Sequence, residues 1–181
     1  DGTTNLIHGY PMSCVSLALS VKRTVTAAVI YNPYTEEIFT AQKGKGAFLN
    51  GKPVHVSRTK KLASGIVDFG TAPYYHEHAD WNFQKTKEIF LRCQDIRRMG
   101  SAALAMASVA CGRCDGSYEL YLKPWDYAAG LLMVQEAGGV VTDFSGQFPD
   151  PTRPSAVLAT NGRIHEELRA YLQDFAGAKQ V

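Results

Sequence analysis

Four residues that open the chain, Asp1-Gly2-Thr3-Thr4, and one aspartate far downstream, Asp126, are of the types that hold metal ions and phosphates. A carboxylate offers hard oxygen ligands to a divalent cation. Glycine and threonine beside it offer backbone N–H groups and a hydroxyl to an anion. The same four residues are also common turn formers, and in isolation a frayed terminus with an accidental turn is the plainer explanation. Asp126 lies in LKPWDYAAG (122–130), where a strand hands over to a helix. The helix dipole favours a carboxylate in a first turn, so Asp is frequent there without any function. Ala128, Ala129 and Gly130 leave room for a ligand or a second backbone, and Trp125 reads as an apolar anchor that fixes the start of the helix.

The chain of 181 residues, 45% hydrophobic, is long enough for one domain or one large piece of a domain. A formal charge of +2, with Lys and Arg scattered apart from pairs such as Lys60-Lys61 and Arg97-Arg98, excludes a nucleic-acid footprint. No apolar run is long enough to span a bilayer and no basic-then-apolar leader opens the sequence, so the expected location is the cytoplasm. Cys111 and Cys114 have the spacing of half a zinc site, but Cys14, Cys93 and the five histidines supply no second half. They read instead as buried thiols closing a small-residue helix.

Positioning the two acids requires two kinds of element. The first half reads as an antiparallel meander of about four strands. VSLALSV (15–21) and TVTAAVIYN (24–32) are joined by a tight turn at Lys22-Arg23; EEIFTAQ (36–42) follows, then a segment punctuated by Gly44-Lys45-Gly46 and Asn50-Gly51. The second half alternates: strand 66–70, helix 80–93, strand 96–99, helix 101–112, strand 117–122, helix 124–139, strands 140–144 and 155–161, helix 163–175. This order predicts an α/β protein with one antiparallel sheet, one mixed sheet, and helices in layers between and outside them.

Taken together, DGTTN, GKGAFLNGKPVHVS, the GSAAL helix start, CDGSYELYLKPWDYAAG and EAGGVVTDFSG resemble the inositol monophosphatase family, over nearly the whole chain. The family belongs to the wider sugar-phosphatase superfamily of Mg²⁺-dependent, lithium-sensitive phosphomonoesterases. The resemblance implies a layered αβαβα sandwich and a Mg²⁺ cofactor. It also implies a small-molecule phosphate ester as substrate and a homodimer to which the apolar strands could contribute. Asp1 and Asp126 match metal ligands. Gly2 and Thr3 match residues whose backbone N–H groups contact the phosphate, and the Thr3 hydroxyl matches one that helps activate the attacking water, with no covalent phosphoenzyme. Glu119 matches an acid that hydrogen-bonds a hydroxyl of the inositol ring, and Ala102 a position whose backbone lies against that ring. Thr4, Asn5 and His8 are expected to shape the loop.

The family motif reads Asp-Pro-x-Asp-Gly-Thr, and its second acid matches Asp1. The expectation is therefore that residues 1–181 are the C-terminal portion of a single such domain, with further ligands upstream. Two carboxylates alone make a weak, water-rich site, so the 181 residues by themselves are expected to be a poor catalyst. Relatives acting on fructose 1,6-bisphosphate, nucleotide 3′-phosphates or histidinol phosphate are alternative readings of substrate. A non-catalytic accessory role in transcription is an alternative of another kind.

Overall fold

The computed structural model describes residues 1–175. A short helix α1 (Thr3–Ile7) precedes five antiparallel strands: β1 (Val15–Val21), β2 (Thr24–Asn32), β3 (Glu37–Gln42), β4 (Gly46–Leu49) and β5 (Lys52–Val54). They pair in chain order as a meander, one strand more than the sequence suggested. Lys22 and Arg23 both have positive φ, as do Asn50 and Gly51, the geometry of the two-residue hairpin turns whose twist matches that of the strands.

The second half begins with β6 (Ile66–Phe69), α2 (Ala79–Phe90), β7 (Asp95–Arg97), α3 (Ala102–Ala110) and β8 (Gly116–Leu122). It continues with α4 (Pro124–Glu136), β9 (Val140–Thr142), β10 (Ser155–Thr160) and α5 (His165–Arg169). The strands form one mixed sheet in the order β7-β6-β8-β10-β9, with β6 parallel to both its neighbours and β10 antiparallel to both of its own.

Helices α3 and α4 fill the space between the two sheets. All nine residues of α3 are buried, which explains its composition of Ala, Leu, Met, Ser and Val: a helix covered on every side needs small or apolar side chains all round. Helix α4 buries Tyr127 through Val134 without a break. Gly130 lies where α4 meets α3, and a Cβ there would stand 2.6 Å from the Cβ of Met106. The two carboxylate oxygens of Glu136 accept the N–H groups of Gly44 and Gly46, fastening the β3–β4 turn to the end of α4.

A second core lies on the other face of the mixed sheet. Leu158 of β10 and Tyr118 and Leu120 of β8 pack there with Ile89 of α2 and Leu168 of α5, whereas Val157 and Ala159 face α3 and α4. The expected helix over 163–175 is only five residues long. The chain continues in turns, yet Leu168, Leu172 and Phe175 are all buried in this core. Their spacing encodes burial on one side of the segment, which a short helix followed by turns satisfies as well as an unbroken helix. Outside the antiparallel sheet no helix is present among the described residues, and Val15, Leu17, Leu19 and Val21 of β1 are exposed. The described layers are thus sheet, helices, sheet, helices. No helix among the described residues is long and apolar enough to cross a membrane.

Cys111 caps the C-terminus of α3 but is only half-buried, whereas Cys114, just beyond it, is buried as expected; all four cysteines are free thiols. Burial raises the Cys114 thiol to about 12, so it is protonated and unreactive at neutral pH.

Candidate active site

Asp1, Gly2, Thr3, Ala102, Glu119 and Asp126 all line one cleft of about 500 Å³. The sequence separates these residues by more than a hundred positions; three element ends bring them together.

The first end is the start of α1. Gly2 caps it at φ +82°, and a Cβ would come within 2.7 Å of the Met12 carbonyl oxygen, so only glycine fits. Its N–H donates to Asp1 Oδ1 at 2.8 Å and is therefore engaged. The N–H groups of Thr3 and Thr4, in the first turn, make no hydrogen bond among the described residues. Asn5 shapes the segment as expected, donating to the carbonyls of Met12 and Met99. The structure assigns no such contact to the side chains of Thr4 and His8.

The second end is the N-terminus of α3. Ser101 is its N-cap, accepting from Leu104 N–H and donating its hydroxyl to Asp1 Oδ2; the Ala103 N–H donates to the same oxygen at 2.9 Å. Asp1 is thus held on the positive end of a buried helix, which fixes its orientation and favours its charge. Ala102, between these two donors, is buried against the cleft.

The third is the β8–α4 junction. Asp126 sits in the first turn of α4, where its Oδ2 accepts the Lys123 N–H at 2.9 Å. Burial raises its pKa, and the Lys123 N–H that it accepts opposes the rise. Trp125 does not anchor the helix. Its side chain is 70% exposed on the rim, and the helix start is held by Asp126 instead.

Glu119 projects from β8 into the floor of the cleft. Its carboxyl occupies the space that a side chain on Gly70 would fill, since a Cβ there would be 1.9 Å from Glu119 Cδ. Burial pushes Glu119 up to about 7, opposed chiefly by the charge of Arg98. Beside it on β6 is Asp68, which carries no motif signal and which the sequence reading missed. Asp68 is 3% exposed, lines the same cleft, and accepts the Met99 N–H at 2.9 Å. Desolvation raises it to about 7 as well.

A carboxyl whose folded pKa is raised favours folding below its unfolded pKa and loses that contribution as pH rises through the folded value. For Asp68 the window runs from 3.8 to about 7. Replacing Asp68 by Asn keeps an acceptor for Met99 and removes the buried charge. Urea unfolding should therefore show Asp68→Asn more stable than the parent by a few kcal/mol at pH 8, with the difference gone at pH 4. A gain independent of pH contradicts this.

Among the described residues, no three Asp, Glu, His or Cys side chains gather closely enough to hold a metal by themselves. Two hard carboxylates lining one cleft nevertheless match Mg²⁺, which is commonly bound through one or two carboxylates, several waters and the oxygens of a phosphate.

The model of the "Inositol monophosphatase family" matches residues 1–176. An inositol-1-monophosphatase of Synechocystis is 42% identical over 168 residues, covering 93% of this chain and 58% of its own length. The Nus factor SuhB of Escherichia coli K12 is 40% identical over 174 residues, covering 96% of this chain and 65% of its own. The solved inositol monophosphatase of Anabaena (Nostoc) superposes with a TM-score of 0.89 at 39% identity, covering 95% of this chain and 68% of that one. The chain therefore spans a little over half to about two thirds of these relatives, and over that span its fold matches that of the Anabaena structure. It belongs to the inositol monophosphatase family.

Proposed function

We propose that the protein is a Mg²⁺-dependent phosphomonoesterase acting on inositol monophosphate or a similar polyol phosphate. The observation that carries this reading is the convergence of Asp1, Asp126, the open N–H groups of α1 and Glu119 on one cleft. Asp1 and Asp126 would hold the cation. When bound, Mg²⁺ supplies charge neutralisation for the phosphate and a lowered pKa for a water ligand.

The chain's own groups do the positioning. The Thr3 and Thr4 N–H groups are open to phosphate oxygens, whereas Gly2 acts through its backbone shape, because its own N–H is taken by Asp1. The Thr3 hydroxyl, exposed at the cleft, would orient the attacking water. Glu119 would accept a hydrogen bond from a hydroxyl of the leaving alcohol, whose ring would rest on the Ala102 backbone. Orientation of this kind is worth much of a hydrolytic barrier when the groups are held in advance, as Asp1 is by α3.

The test is phosphate release by the full-length protein in Mg²⁺ from inositol 1-phosphate, set beside fructose 1,6-bisphosphate, a nucleoside 3′-phosphate and histidinol phosphate. The polyol ester should be turned over fastest. Preference for one of the others replaces the substrate assignment and leaves the reaction class. The name Nus factor, carried by the Escherichia coli relative, supports a second reading in which the chain binds a protein partner. Release from none of the four esters would favour it.

A further inference from the structure

Tyr121 lies in β8 at φ +52°, where the pairing with β10 slips: Ser155 is opposite Leu122 and Val157 opposite Glu119. Two steps along β10 thus span three along β8, so β8 carries a bulge. Glycine adopts a left-handed bulge position without strain, and a bulky residue there is an outlier. Strained residues persist where their surroundings over-determine them, and they gather at ligand sites. A second non-glycine residue with positive φ, Ala72, lines the same cleft.

The ring of Tyr121 is held firmly. Its centroid is 4.5 Å from that of Tyr75 and 5.2 Å from that of His78, and its hydroxyl is 3.1 Å from His78 Nε2. Tyr121 and Tyr75 both border the cleft, and Tyr121 also borders a neighbouring cavity of about 240 Å³. Tyr74 and Trp125, both largely exposed, stand on the same rim. Glu119 is two residues before Tyr121, and all four aromatic residues line the same cleft as Glu119; the Tyr121 ring also packs on Phe175 of the second core, with centroids 5.7 Å apart. Nothing in phosphate hydrolysis itself calls for them.

We propose that Tyr121, backed by Tyr75, is a specificity residue whose aromatic wall favours phosphate monoesters with a planar apolar ring on the alcohol over esters of small acyclic polyols. The proposal rests on the phosphomonoesterase reading. The reaction is unchanged: water's oxygen forms a new bond to phosphorus, the bond to the ester oxygen breaks, and the proton lost by water ends on the leaving alcohol.

The test compares benzyl phosphate with glycerol 2-phosphate, two alkyl esters, using the full-length protein in Mg²⁺. Tyr121→Gly relieves the left-handed backbone and removes the ring; Tyr121→Phe keeps the ring and loses the bond to His78. For Tyr121→Gly, kcat/KM on benzyl phosphate should fall about three- to tenfold, the range of an aromatic contact, with glycerol 2-phosphate changed less than about twofold. Tyr121→Phe should keep the parent ratio. A ring that only fastens β8 to the 72–78 segment would shift both esters together, and that outcome overturns the proposal. Inhibition of the unmutated protein gives an answer without any variant: benzylphosphonate should compete more tightly than methylphosphonate by a similar factor, and equal inhibition overturns the wall. Hydrolysis of glycerol 2-phosphate with an unaltered ratio defeats this inference alone. Turnover of inositol 1-phosphate with neither test ester hydrolysed likewise defeats this inference alone, and failure to release phosphate from inositol 1-phosphate as well defeats the phosphomonoesterase reading and this inference with it.

Discussion

Asp126→Asn should lower phosphate release by the full-length protein at least about a hundredfold while leaving its unfolding midpoint unchanged or slightly raised. The two readouts separate because Asp126 has two tasks. As a first-turn residue of α4 it accepts the Lys123 N–H, and an asparagine oxygen can do the same. As a half-buried carboxyl it carries a charge that burial disfavours, so its neutral replacement costs the fold nothing. What asparagine cannot supply is an anionic oxygen for a divalent cation. Substitutions one shell further from a metal commonly cost ten- to a hundredfold, so loss of a direct ligand should cost at least the upper figure. Activity within about tenfold of the parent would show that Asp126 is a helix-start residue and no more.

The second large effect concerns the layer that positions the acids. Helix propensity alone predicts that Gly130→Ala stabilises α4 by about 1 kcal/mol. The packing predicts the reverse, because the new Cβ would sit 2.6 Å from Met106 Cβ and 2.8 Å from its Sδ. Met106 is buried in α3, and the pair of helices is confined between two sheets, so neither can step back. Overpacking of this kind costs roughly 1–3 kcal/mol and occasionally more. Gly130→Ala should therefore be destabilised by about 1–2 kcal/mol net and Gly130→Val by about 3 kcal/mol or more, as measured by urea unfolding. An alanine variant more stable than the parent would show that α3 and α4 do not approach as closely as described.

Much of the fold could be read from local pattern. The β1–β2 and β4–β5 hairpins turn where the turn chemistry puts them, because Lys22-Arg23 and Asn50-Gly51 encode their turns in two residues. The closing helix was overread, since Leu168, Leu172 and Phe175 keep a helical spacing while the chain turns. The bulge at Tyr121 was invisible: SYELYL alternates like any strand, and the slip arises from the pairing with β10.

The candidate site divides in the same way. Asp1 and Asp126 stand in motifs, with small residues beside them that mark close approach. Asp68 stands in IVDFG, an ordinary buried strand, and its environment comes from the tertiary fold: burial first, then the Met99 N–H and the Arg98 charge some thirty residues on. Asp115 is a similar case. Its carboxyl accepts the Ser57 hydroxyl and the Ile66 N–H, and its main-chain carbonyl accepts the Asn161 N–H, joining loop and sheet through one buried residue. No spacing in the sequence announces such a partner set. Trp125 shows the converse: a large apolar side chain before a helix suggests an anchor, yet it borders a cleft and stays exposed.

The measurement that bears most directly on the central claim is the rate of phosphate release from inositol 1-phosphate by the full-length protein as Mg²⁺ is removed by a chelator and then restored. The account predicts that release stops on removal and returns on restoration, with the protein folded throughout. Release that continues undiminished in chelator, or that never appears in folded protein at saturating Mg²⁺, would contradict a cleft in which Asp1 and Asp126 act through a bound cation.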